Sequence, residues 1–307
     1  MNRSGPMVVA CLAPTDLRPE VDPLTGAVRV DPRRADLSPA EAAALEYALR
    51  AADAWDGWVL AVAAGPAEID PVLARAAAVG ADALRVEWGA AHTMPAAVAG
   101  PVDVHPAELA GEPHDLAAAL AGAITGRGTP ALVVCGDRSG ARGVGAVPGW
   151  LAHHLGMEQA LGLVGLRIGP PARVGAQRRL DGGWREDLQL TGPVVVSVEA
   201  AGVRLRRAGL ADALAAESAP IPVVHPAAPR PGRAWDVRVG PARPYRPRTR
   251  PVPPPEGDTR QRLLSLTGAL VSRQPPRIVG PLDPAGAADE LLSYLERNGY
   301  RPAGPTS

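Results

Sequence analysis

Phenylalanine is absent from these 307 residues, and cysteine occurs only at Cys11 and Cys135. There is no Cys-x-x-Cys pair and no dense cysteine framework, so nothing points to a disulfide scaffold, and two thiols in separate apolar runs suit a reducing compartment. Net charge is missing as well: Lys+Arg and Asp+Glu both total 32. A balanced chain has no global field to draw in nucleic acid or an anionic membrane. Met1 to Ala10 carries one Arg and a short apolar stretch before Pro14 and Asp16, too little for a signal peptide or a membrane span. These absences read as a cytoplasmic protein with no membrane insertion and no nucleic-acid partner.

The usual catalytic signatures are missing too. No Gly-x-x-x-x-Gly-Lys-Ser/Thr, His-Glu-x-x-His or Gly-x-Ser-x-Gly occurs, nor any paired metal ligands. His153-His154 is the one histidine cluster, and adjacent helical residues point about 100° apart and rarely share a metal. A surface or capping role is expected for them, and no catalytic or metal-ligating residue is assigned.

What is present is alternation. Short apolar runs at Met7–Leu12, Trp58–Ala63, Ala83–Val86 and Ala131–Cys135 are separated by Ala-rich helical patterns at 39–54, 66–79 and 115–124, the signature of βαβ units and a mostly parallel sheet. Ser38-Pro39-Ala40-Glu41 predicts a helix start, since the hydroxyl caps a free amide, Pro is preset for the first turn and Glu reaches back. A Gly-rich loop from Gly136 leads to a helix through Trp150, Leu151 and Leu155, ended by Gly156. Segments 161–168, 172–180, 184–190 and 194–198 read as strands, with Asp181-Gly182-Gly183 as a hairpin turn, so this part should be antiparallel or mixed. From Ala227 to Gly257 Pro and Arg crowd a stretch without apolar periodicity, which should run extended. Helices capped by Asp258 (over 259–271) and by Asp283-Pro284 (through Leu291, Leu292 and Leu295, to Asn298-Gly299) follow, and their leucine stripes need a surface to cover. The chain thus reads as an α/β domain over 1–225, an extended linker over 226–257 and a helical arm over 258–307.

In a doubly wound sheet ligands sit at the carboxyl ends of the strands. Segments that should converge there are Ala10-Cys11, Ser38-Pro39, Ala64-Gly65-Pro66 and the loop from Gly136 to Gly145. Free amides at helix starts, with glycines permitting close approach, favour a phosphate. Arg138 and Arg142 add charge-assisted donors.

Taken in order, these segments resemble the β subunit family of electron-transfer flavoproteins. The resemblance runs through Ala10-Cys11, Ser38-Pro39-x-x-x-x-Ala-Leu-Glu-x-Ala-Leu-Arg, Ala64-Gly65-Pro66, Ala76-x-x-x-Gly80-Ala81-Asp82 and Cys135-Gly136-Asp137-Arg138-Ser139. It continues with Arg179-Leu180-Asp181-Gly182-Gly183, Gly192-Pro193-Val194-Val195 and Arg206-Arg207-Ala208-Gly209-Leu210, and a final Leu-Leu-x-Tyr-Leu-Glu-Arg-x-Gly-Tyr run looks like that family's C-terminal helix. The Gly-Asp-Arg-Ser loop and the Pro/Arg arm look closest to the branch associated with the mycofactocin redox system of actinobacteria.

The resemblance implies a doubly wound, mostly parallel sheet of the adenine nucleotide alpha hydrolase-like kind, with an antiparallel extension and an extended C-terminal arm. It implies structural AMP, and FAD shared with an FAD-bearing α-type subunit. Ala10, Ser38, Pro39, Ala64, Gly136, Asp137, Arg138, Ser139, Arg142, Gly143, Val144 and Gly145 would surround the nucleotide. Arg206 and Leu210 match a recognition loop whose leucine anchors a flavin-dependent dehydrogenase, Arg206 adding charge steering. The alternative for that segment is an amphipathic helix packed on its own sheet through Leu210 and Leu214. Three positions depart from the family: Ser38 replaces Asn, Ala64 replaces Cys, and the phosphate loop is shorter, without the internal Asp and the Gln-Thr-Gly. A non-catalytic electron-carrier subunit is the leading reading, beside a stand-alone adenine-nucleotide enzyme and a scaffold that has lost its nucleotide.

Overall fold

Along Met7–Leu12 (β1), Val8, Ala10 and Leu12 turn to one core while Met7, Val9 and Cys11 turn to another, and all six are buried. A strand covered on both faces belongs in the middle of a sheet with helices on each side. The computed structural model describes residues 5–24, 28–88, 102–104, 113–140, 145–169, 173–200, 202–226, 257–267 and 278–300. The chain divides into two units, Met1–Ala242 and Arg243–Ser307.

In the first unit β1 is followed by Trp58–Gly65 (β2), Asp82–Glu87 (β3), Pro130–Gly136 (β4), Glu158–Gly169 (β5), Arg173–Arg179 (β6), Arg185–Thr191 (β7), Val194–Val198 (β8) and Val223–Val224 (β9). They form one 9-stranded sheet in the order β7-β6-β5-β8-β4-β1-β2-β3-β9. From β5 to β9 every pairing is parallel, and only β5-β6-β7 is antiparallel. The sheet is therefore mostly parallel with an antiparallel extension, and the mixed character expected for 161–198 holds. Two small antiparallel ladders stand apart, Thr15–Asp16 with Ala35–Asp36, and Glu20–Val21 with Val28–Val30 and Val102–Val104.

Helices Pro39–Ala54 (α1) and Asp70–Ala78 (α2) contribute to one core, and Pro113–Thr125 (α3) and Val147–Leu155 (α4) to the other. Helix Leu210–Ser218 (α5) lies against α2. Ala43, Ala44, Ala48 and Ala51 of α1 have no exposed surface. Such small side chains let the helix approach the sheet closely, and a core of Ala, Val and Leu closes without a single Phe. Helix α1 spans the predicted residues, whereas α2 starts only at Asp70, after a 3-10 turn over Ala67–Ile69. Helix α4 stops at Gly156, whose φ of 64° is left-handed, a conformation glycine adopts without strain.

In the second unit Asp258 caps Thr259–Leu266 (α6), accepting from the Gln261 amide at 2.8 Å, and Asp283 caps Pro284–Arg297 (α7), accepting from Gly286 at 2.7 Å. Neither helix buries a residue; Leu263, Leu266, Leu291 and Tyr294 are all exposed. The Pro/Arg stretch over 227–256 lies outside the described residues, as does 268–271 at the end of the predicted helix. Among the described residues no helix is long and apolar enough to cross a membrane.

Burial orders the leucines by cost. Leu45→Ala, which empties a site with no exposed surface, is expected to cost about 2–5 kcal/mol in urea denaturation. Leu210→Ala, at a residue 78% exposed, should stay within about 0.5 kcal/mol. Equal costs would contradict this assignment of the core.

Candidate functional site at the carboxyl edge

Register places Ala64 and Gly136 on one edge. Cys11 of β1 pairs with Val62 of β2 and Cys135 of β4, so Ala64 and Gly136 sit one or two rungs further along on either side of the end of β1. Two strand spacings, roughly 10 Å, separate those flanking strands. Both cysteines are buried free thiols, as expected, and their pairing is one that no sequence spacing reveals. Hydrogen bonding from Cys11, then burial, pushes the Cys135 thiol well above its usual range.

Ser38 stands where its motif predicts. Its side chain accepts from the Glu41 amide at 3.3 Å, and its own amide donates to Glu41 Oε2 at 2.9 Å, completing a capping box. Sequence reading stopped there, but the carboxylate does more: Glu41 Oε1 accepts from the Ala13 amide, just beyond β1, at 2.6 Å. A Cβ on Gly136 would lie 3.0 Å from Glu41 Cγ. One side chain, 2% exposed, therefore joins the end of β1, the start of α1 and the end of β4. Burial pushes the Glu41 carboxyl up to about 7, against the Ser38 and Ala13 bonds that pull it down.

Ala10 requires a correction. It is not a strand end but a core residue with no exposed surface, flanked by Ala61 and Val134, because β1 continues to Leu12. Ala13 occupies the edge position instead. Ala64 is half-buried near the end of β2, against the α3 and α4 side of the core. Pro39 is exposed at the first turn of α1.

The loop glycines also serve a purpose other than the one expected. A Cβ on Gly140 would approach Thr15 Cγ2 to 2.9 Å, and one on Gly145 would reach the Asp137 carbonyl at 2.3 Å. Their small size lets the loop close on its own protein. Asp137 donates its amide to Val198 O at 2.9 Å and pairs with Arg138 through its carboxylate at 3.2 Å. Ser139 is half-buried on the same loop, and Arg142, Gly143 and Val144 lie outside the described residues. Ala146, preceding α4, offers no side-chain cap to that helix.

Two clusters escaped the sequence reading. Arg85, 7% exposed near the end of β3, pairs with Glu87, donates to Gly65 O at 3.3 Å and approaches Asp70 Oδ1 with Nε at 2.8 Å, an ion pair without a well-directed hydrogen bond. It ties the ends of β2 and β3 to the start of α2. On the outer side of α1, buried Glu46 takes the Arg206 amide at 3.0 Å and its Nε at 3.1 Å, while Arg206 Nη1 reaches Asp53 at 2.9 Å. Burial raises the Glu46 carboxyl, but Arg206 and Arg50 outweigh it and hold it below the ordinary range. Arg206 thus anchors the chain before α5 and is not a free steering charge. The packed-helix alternative for α5 fails, because Leu210 and Leu214 are 78% and 58% exposed and Ala216 alone is buried. Neither cluster has a local sequence signal, since each joins residues brought together by folding.

No family model matches this chain, and no curated protein matches it.

His153 and His154 belong to an edge-to-face aromatic cluster with His114 and Trp150, His114 lying 4.8 Å from His154 and 5.0 Å from Trp150 between ring centroids. Burial, then the charges of His114 and His153, lowers the His154 pKa. Among the described residues no group of three or more His, Cys, Asp or Glu is arranged to hold a metal ion.

Opposite pH slopes follow. The folded Glu41 carboxyl keeps its proton above the ordinary value of 4.5, so its stabilisation is present below that value and lost as pH rises through about 7. The loss amounts to about 3 kcal/mol at most. His154 is harder to protonate folded than unfolded, so its contribution is lost as pH falls below the ordinary histidine range. Urea midpoints followed from pH 4 to 8 should show Glu41→Gln flattening the first slope and His154→Gln the second. Unchanged slopes would refute these assignments.

Proposed function

We propose that this chain is the β-type subunit of a heterodimeric electron-transfer flavoprotein, on an adenine nucleotide alpha hydrolase-like sheet. It works in the cytoplasm with an FAD-bearing α-type subunit and carries electrons from a flavin-dependent dehydrogenase to a downstream acceptor. The observation that carries this reading is the convergence of Ser38, Glu41, Ala64 and Gly136 on the carboxyl edge, where α/β sheets receive nucleotides. The start of α4, where Ala146 supplies no side-chain cap and which follows the loop carrying Arg138 and Ser139, fits a nucleotide phosphate. The start of α1 does not, since Glu41 already takes the Ser38 amide there. Bound FAD supplies the redox chemistry, and the residues of this chain bind and position.

Exposed apolar surface supports the pairing. Leu210 and Leu214 project from α5 beside a cleft of about 370 Å³ lined by Leu37, Arg75, Val79, Leu205, Arg206 and Ala213. Helices α6 and α7 add leucines that bury nothing. Apolar faces of this kind mark interaction sites, and the clamp of Arg206 on Glu46 holds the Leu210 segment in place.

A nucleotide-free scaffold is the second reading, favoured by the same Glu41 bond to Ala13 and by glycines spent on internal packing. Co-expression with an α-type subunit tests both. A co-purifying pair with flavin absorbance and AMP among the small molecules released on denaturation is the expected result. A pair with flavin and no AMP favours the scaffold. Failure to pair, or a pair without flavin, overturns the assignment. Leu210→Ala should slow reduction by the dehydrogenase at least tenfold and leave the flavin spectrum unchanged.

A further inference from the structure

Cysteine is scarce in this chain, yet its two copies meet. Cys11 of β1 and Cys135 of β4 face each other in register on adjacent parallel strands. Both belong to the core on the α3 and α4 side, so their side chains leave the sheet on the same face. Adjacent strands run about 4.8 Å apart, and a disulfide bridges Cα atoms about 4.4–6.8 Å apart. Both cysteines are free thiols. They share a hydrogen bond, which brings sulfur against sulfur.

The rung offers neither thiol a second thiol to pair with. Beyond Cys135 stands Ser197 of β8, whose Oγ takes the Gly162 amide at 2.9 Å, and beyond Cys11 stands Val62 of β2. The sequence contains no third cysteine. Each thiol is nearly closed off, with Cys11 7% and Cys135 4% exposed, so access favours an oxidant near the size of water over a bulky disulfide. The shared hydrogen bond, then burial, keeps the proton on Cys135, which leaves Cys11 to attack first. Burial makes that first attack slow. The second is fast, because the partner sulfur is already in place.

We propose that Cys11 and Cys135 are a redox-modification site: a dithiol that hydrogen peroxide closes to an intramolecular disulfide, stapling β1 to β4 near the carboxyl edge. The Cys11 thiolate attacks one peroxide oxygen. An S–O bond forms, the O–O bond breaks, and the departing hydroxide takes up the proton that Cys11 released, giving water and a sulfenic acid. Cys135 then attacks the Cys11 sulfur. The S–S bond forms, the S–O bond breaks, and the hydroxide leaves with the Cys135 proton as a second water. Two thiols thus lose two electrons, and one peroxide is reduced to two waters. A dithiol reductant restores a disulfide, whereas a sulfenic acid without a partner goes on in excess peroxide to sulfinic acid, which it does not restore. The pair therefore holds oxidation at its reversible stage. Gly136 follows Cys135 directly and packs on Glu41 Cγ, so the staple lies one residue from the tie that Glu41 makes.

The test counts thiols in the full chain, because peroxide also oxidises methionine, of which there are four. The reduced chain is treated with hydrogen peroxide, the excess is destroyed with catalase, and the protein is denatured in an alkylating reagent. Untreated chain should take two alkyl groups and treated chain none. Mass spectrometry of the digest should show the Cys11 and Cys135 peptides joined, and dithiothreitol should return both thiols. In Cys135→Ser, prolonged peroxide should carry Cys11 to a form that dithiothreitol does not restore. Two thiols still alkylated after peroxide, one thiol lost beside a free partner, links between chains instead of within one, or full recovery of Cys11 in the variant each overturn the proposal. Should Cys135→Ser not fold, the thiol count and the joined peptides of the native chain settle it. No readout involves a nucleotide or a flavin, so the result stands apart from the proposed function.

Discussion

A carboxylate withdrawn from water between two backbone amides of different elements organises the working edge of this protein. Glu41 takes Ala13 and Ser38 at once. It therefore ties α1 to the end of β1, and Gly136 packs tightly on it, where an added Cβ would lie 3.0 Å from Glu41 Cγ. Burial costs such a group much of its hydration, and the bonds from Ser38 and Ala13 offset part of that cost. Loops that meet at a sheet edge need some such tie, because backbone groups there are no longer satisfied by the ladder.

The same arrangement changes what the edge offers a ligand. Amides at the start of α1 are already engaged within its capping box. Arg85, paired with both Asp70 and Glu87, ties the far side of the edge at β2 and β3. Carboxylates thus tie the edge at the starts of both α1 and α2.

Away from the edge, the segment before α5 shows how burial and exposure divide labour. Arg206 is held by Glu46 and Asp53, and the helix it introduces leaves its leucines outside. A rigid support under an apolar surface lowers the ordering cost of an encounter. Helices α6 and α7 carry the same kind of surface on a unit whose helices bury nothing.

Local pattern set the main strands of the sheet, most of the helices and their caps. The continuous apolar run of β1, the Ser38-Pro39-Ala40-Glu41 start, Gly156 and the Asp258 and Asp283 caps all act within a few residues, so they are legible in order along the chain. Predicted strand ends at Ala63 and Cys135 fell short by a residue or two, because the ladder continues while neighbours supply partners, to Gly65 and Gly136. Tertiary structure decided everything that depends on a partner distant in sequence: that Cys11 faces Cys135, that Ala10 is core and Ala13 edge, that Glu41 reaches beyond its own cap, that Arg206 is an anchor, and that the loop glycines face protein. Nearly all are contacts between residues distant in sequence, and their energy depends on burial and distance, which exist only once the sheet has assembled.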